Sequence, residues 1–67
     1  MRVRARVWGG EEKELELPDN STAEDLLERM GIEREAVIVK ANDRICPESE
    51  KLSGGDEVLI IPIVTGG

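Results

Sequence analysis

Residues 3 to 7 read V-R-A-R-V, a strict alternation of apolar and charged positions. Such a period of two predicts a strand with Val3, Ala5 and Val7 on one face and Arg2, Arg4 and Arg6 on the other. Gly9-Gly10 marks a turn. Residues 13 to 17 alternate again, with Leu15 and Leu17 inward and Glu14 and Glu16 outward. Both inward sets are odd-numbered, so facing residues must sum to an even number. A sum of 20 pairs Arg6 with Glu14 and Arg4 with Glu16, leaving a loop of Gly9, Gly10 and Glu11. A slip by one residue would set arginines against leucines, which excludes it. Each cross-strand charge pair adds about 0.2–1 kcal/mol.

Pro18 closes the second strand, and Asp19-Asn20-Ser21-Thr22 is rich in helix N-cap residues. Ser21 with Glu24 fits a capping box, and Thr22 with Asp25 is a near variant. Ala23, Leu26, Leu27 and Met30 then fall at i, i+3, i+4 and i+7, the apolar stripe of a helix. Gly31 sits where a helix commonly ends in a left-handed residue, so the helix is placed at 22–30. Residues 36–41 (AVIVKA) predict a third strand, Asn42-Asp43 a turn, and Arg44-Ile45-Cys46 a short strand stopped by Pro47. A polar loop over 47–56 ends in Ser53-Gly54-Gly55-Asp56, and Val58 to Val64 form the last and most apolar strand.

The order β-β-α-β-β-β in 67 residues leaves room for one domain. A last strand that is apolar on both faces belongs at the centre of a sheet. With the first strand as its parallel neighbour, the expected fold is α+β: a ubiquitin-like β-grasp, a mixed sheet of four to five strands with one helix packed across it. Residues 1–64 form that domain and 65–67 a flexible Thr-Gly-Gly tail. Glu57 assigns the faces of the last strand, because a lone glutamate does not point into a small core. Leu59, Ile61 and Ile63 share its parity and face outward beside Arg4 and Arg6, while Val58 and Ile60 pack on the helix.

Composition narrows the function. Trp8 is the single aromatic residue, so the core is aliphatic. The net charge of −6 argues against a nucleic-acid surface and against anionic membranes. The N-terminus shows no signal-peptide pattern, and a lone Cys46 makes no internal disulfide, so a cytoplasmic setting is expected. Without histidine, and with one cysteine, the chain holds no zinc-site spacing and no Cys–His pair. It lacks the usual parts of a catalyst, and its many carboxylates read as solvated surface. Cys46 reads as a small buried hydrophobe, Trp8 as a cover for the sheet beside its turn, and the arginine row as a charge ladder for the second strand.

Thr65-Gly66-Gly67 is the remaining feature. Together with the A-N-D-R-I-C-P turn (41–47), the S-G-G-D-E-V-L-I-I-P approach to the last strand (53–62) and the element order, it resembles the ubiquitin-like sulfur carriers. These are the ThiS and MoaD carriers and the small archaeal modifier proteins, and the resemblance spans the whole chain. It implies a carrier, not an enzyme, with no bound cofactor. An ATP-dependent activating enzyme would adenylate Gly67 behind Gly66, and a sulfur source would convert the adenylate into a thiocarboxylate. Leu59, Ile61 and Ile63, with Arg4 and Arg6, would dock that enzyme.

Further partners implied are a sulfurtransferase or tRNA-thiolating enzyme and protein lysines that attack the adenylate. Lys13, Lys40 and Lys51 are candidate acceptors for self-conjugation, against a plainer reading as solubilising charges. Transfer to tRNA is favoured over donation to the thiamine thiazole or to molybdopterin. From another class, the chain reads as a non-covalent β-grasp interaction module, and its apolar outer face as a homodimer patch.

Overall fold

A computed structural model describes residues 1–63. Its elements are β1 (Arg2–Val7), β2 (Glu12–Glu16), α1 (Ala23–Met30), a 3₁₀ turn (Arg34–Ala36), β3 (Val37–Ala41), β4 (Arg44–Ile45) and β5 (Glu57–Pro62). The five strands lie in the order β2-β1-β5-β3-β4. β1 and β5 run parallel, and the other neighbours are antiparallel. The fold is the expected α+β ubiquitin-like β-grasp with β5 at its centre. Among the described residues, no helix is long and apolar enough to cross a membrane. The expected Thr-Gly-Gly tail lies outside the described residues, as does the end of the last strand at Val64.

One register expectation fails. Arg2 faces Glu16, Arg4 faces Glu14 and Arg6 faces Glu12, so facing pairs sum to 18. Parity is kept, but every pair moves by two positions. The cause is the turn: Gly10 N–H donates to Val7 O at 2.7 Å, with Gly9 at φ 81°. The chain therefore reverses over Trp8-Gly9-Gly10, and only glycine takes that left-handed angle at no steric cost. At the open end the Met1 ammonium donates to Leu17 O (2.7 Å) and Leu17 N–H to Met1 O (2.8 Å), closing the same register.

The helix start also differs. Thr22 is the N-cap: its backbone N–H reaches Asp25 Oδ2 at 2.9 Å, and Asp25 N–H reaches Thr22 Oγ1 at 3.3 Å. Ser21 does not cap, because the Glu24 amide it would accept from donates instead to Glu48 O at 2.9 Å, while its own hydroxyl donates to Pro18 O at 2.7 Å. The next two helical amides, of Ala23 and Glu24, have no partner within the helix and donate to Glu50 O (3.1 Å) and Glu48 O (2.9 Å). The loop after β4 thus seats the helix, and its Leu52 is buried in the core despite the polar sequence around it. Gly31 ends the helix at φ 71°, as its position implies.

Inward residues from sheet and helix make one aliphatic core. Val3, Leu26, Leu27 and Ile60 are its largest fully buried side chains. Val58 is buried with Ile60, whereas Glu57 is exposed, so β5 presents the two faces that its parity predicts.

Candidate docking face of the sheet

The helix covers one side of the sheet and leaves the other to solvent. On that side the side chains line up in rows, because neighbouring strands are paired residue to residue. Arg4 of β1 stands beside Glu57 of β5. One row further on, Arg6, Leu59 and Lys40 run across β1, β5 and β3, and Ile45 of β4 extends the row. The next row joins Ile61 to Ile38. Trp8 prolongs β1 towards it, its backbone N–H donating to Ile60 O at 2.8 Å. Ile63 follows, its N–H bonded to Ala36 O at 2.8 Å.

The apolar members of these rows are only partly covered. Leu59 and Ile61 are half-buried, Ile38 and Ile63 are about two-fifths exposed (42% and 43%), and Trp8 and Ile45 are 65% and 67% exposed. Contiguous exposed aliphatics of this kind mark interaction surfaces. The structure therefore brings together Leu59, Ile61 and Ile63 as expected and adds Ile38, Ile45 and Trp8. The first of these was within reach of sequence reasoning, since Ile38 and Lys40 share a parity in β3. Ile45 and Trp8 join through strand order and hairpin geometry.

The charged members divide into two groups. Arg2 sits 3.4 Å from Glu14 and 3.3 Å from Glu16. Arg4 donates to Glu57 Oε1 at 2.7 Å, so this expected docking arginine is held within the sheet. Arg6 and Lys40 make no ion pair among the described residues. They lie on either side of Leu59.

The other singled-out residues lie elsewhere. Lys13 is exposed on β2, opposite Ala5, and Lys51 is exposed in the loop that bridges to Thr22. Cys46 is buried, its thiol donating to Pro47 O at 3.6 Å, and burial, reinforced by the neighbouring Glu50 carboxylate, pushes that thiol up to about 11. That matches a small hydrophobe, protonated at neutral pH. Gly66 and Gly67 lie outside the described residues.

A helix across a five-stranded mixed sheet, with an aliphatic face left open, defines a ubiquitin-like β-grasp domain. The chain matches the ThiS family over residues 3–67 and belongs to it. Its fold is similar to that of SAMP1 from Haloferax volcanii, with a TM-score of 0.79 and 17% identity over the whole of both chains. It is also similar to a candidate molybdopterin converting factor, subunit 1, from Pyrococcus furiosus (TM-score 0.77, 25% identity, covering 94% of this chain and 98% of that one). A ubiquitin from Caldiarchaeum subterraneum superposes with a TM-score of 0.73 at 19% identity, over 100% of this chain and 98% of that one.

Proposed function

We propose that this chain is a sulfur carrier whose Gly67 carboxylate is activated by an ATP-dependent enzyme docked on the open face of the sheet. The observation that carries the reading is that the family match runs through Gly66 and Gly67, while the exposed apolar rows lead up to the same end of β5. Four residues separate Ile63 from the Gly67 carboxyl, at most about 14 Å of chain. An enzyme seated over Ile61 and Ile63 therefore has its catalytic site close by.

The chemistry follows from the carboxylate. An α-carboxyl group has a pKa of about 3.3–3.7 and is ionised at neutral pH, which makes it a poor electrophile. Its oxygen attacks the α-phosphorus of ATP and releases pyrophosphate. Sulfide then attacks the acyl carbon of the adenylate, AMP departs, and a thiocarboxylate remains. Two glycines let the end pass through a narrow enzyme site without Cβ clashes. A lysine amine attacking the same adenylate would form an isopeptide bond instead. The carrier supplies recognition and delivery, and transfer of the sulfur to tRNA is the favoured use.

Intact mass spectrometry after incubation with the activating enzyme, ATP and a sulfide donor tests this. The expected product carries one sulfur in place of one oxygen, and deletion of Gly66-Gly67 abolishes it. Pyrophosphate exchange into ATP that persists with the deleted chain overturns the reading. Loss of tRNA 2-thiouridine in a gene deletion supports the tRNA route. Normal tRNA thiolation with thiamine auxotrophy replaces it with the thiazole route.

A further inference from the structure

The open face carries four basic residues close to its aliphatic rows: Arg2, Arg4, Arg6 and Lys40. Two are neutralised within the domain, Arg2 by Glu14 and Glu16 and Arg4 by Glu57. The other two bracket Leu59, Arg6 from β1 and Lys40 from β3. Adjacent strands lie about 4.8 Å apart, so their Cα positions are about 10 Å apart with Leu59 between them. The three residues line one shallow depression of about 450 Å³. Glu12, Asp43 and Glu57 line it as well, but Glu57 is held by Arg4, and neither Glu12 nor Asp43 brings an oxygen within 4.0 Å of the two cations. On a domain of net charge −6, two cations are thus left without an ion-pair partner among the described residues, beside a half-buried leucine.

We infer that the partner of this face is an acidic, apolar-centred protein surface: an apolar side chain seated on Leu59 and flanked by two carboxylates, one meeting Arg6 and the other Lys40. The inference rests on the docking reading above and names the partner's chemistry. It also gives Lys40 a docking role, in contrast to Arg4, whose guanidinium is already held by Glu57. Charge complementarity of this kind sets specificity and encounter rate, and it selects against partners that place cations there.

The test measures the affinity of the full chain for the activating enzyme at about 0.1 M and about 1 M salt, between which the Debye length falls from about 10 to about 3 Å. The double substitution Arg6→Glu/Lys40→Glu is expected to weaken binding at least about tenfold at the lower salt, with a smaller loss at the higher. Arg29→Glu/Lys51→Glu reaches the same net charge away from this face and is expected to change affinity less than about twofold. Arg6→Gln/Lys40→Gln avoids setting a glutamate against Glu12 and is expected to weaken binding by an intermediate factor. Circular dichroism checks that each variant is folded. Equal losses for both glutamate pairs, or no loss for either the glutamate or the glutamine pair at the cluster, overturn the inference. Loss of a homodimer in sedimentation, with enzyme affinity intact, also overturns it and assigns the face to a second copy. Ile61→Asp, run alongside, separates the two levels. If it abolishes binding while the charge variants do not, the docking reading stands and only the partner's chemistry is wrong.

Discussion

Ile60 and Ile61 are adjacent in β5 and chemically identical, yet they are expected to respond to truncation in opposite ways. Ile60 is fully buried in the core it shares with Leu26 and Leu27, between Val7 and Val39 of the neighbouring strands, whereas Ile61 is half-buried on the open face beside Ile38. Removing three carbons from a buried isoleucine costs about 2–5 kcal/mol, because the surrounding core collapses only partly around the cavity. A domain of 67 residues has a total stability of about 3–10 kcal/mol at 0.05–0.15 kcal/mol per residue. Ile60→Ala therefore removes about a fifth or more of it and lowers Tm by at least about 8 °C, at 4–8 °C per kcal/mol for a chain of this size. Ile61→Ala forfeits little packing and some strand propensity, about 1 kcal/mol or less. Its cost falls on docking, where a central aliphatic anchor is worth about 2 kcal/mol or more, a loss of roughly thirtyfold in affinity. Thermal melts followed by circular dichroism, paired with affinity for the activating enzyme, read both quantities on the same samples. A melt for Ile61→Ala as depressed as that of Ile60→Ala, or unchanged stability in Ile60→Ala, refutes the assignment of the two faces.

Three further outcomes follow from local geometry. Thr22→Ala removes the hydroxyl that caps Asp25 N–H and is expected to cost about 1 kcal/mol in urea titrations, whereas a cap at Ser21 would leave Thr22 dispensable. Gly31→Ala meets no atom within 4 Å but forces a Cβ into φ 71°, so melts should show a loss of roughly 1–2 kcal/mol from backbone strain alone. Cys46 keeps its proton in the folded state up to about pH 11, while the unfolded thiol ionises near its ordinary value of 9.0. The unfolded state then binds fewer protons between those values, so Cys46's contribution to stability is intact below pH 9 and is lost as pH rises towards 11. Urea midpoints of wild type and Cys46→Ala across that range should converge, and thiol-reactive dyes should label the native protein far more slowly than the unfolded chain.

The faces of the strands were readable from residue order, because a period of two leaves no freedom once one side is apolar. V-R-A-R-V, the leucines of β2 and the parity of Glu57 each named the inward side, and burial agrees. The helix stripe and its glycine stop were readable for the same reason, being local patterns with one periodicity. From these, Leu59, Ile61 and Ile63 could be placed on one open face before any fold was known. Parity cannot separate two registers that differ by two residues, however. Sums of 18 and 20 both set arginine against glutamate, and the Gly9 turn, with the Met1–Leu17 pairing at the open end, settled on 18. Of two overlapping capping boxes the sequence favoured Ser21 with Glu24, and the cap fell to Thr22 because the loop carbonyl of Glu48 takes the Glu24 amide. The composition of the docking face depended most on long-range pairing. β1 and β3 are far apart in the chain, and only their places on either side of β5 set Arg6 and Lys40 about Leu59 and give Arg4 to Glu57. Which charges are neutralised and which remain for a partner is a property of strand order, and strand order is decided by how the whole core closes.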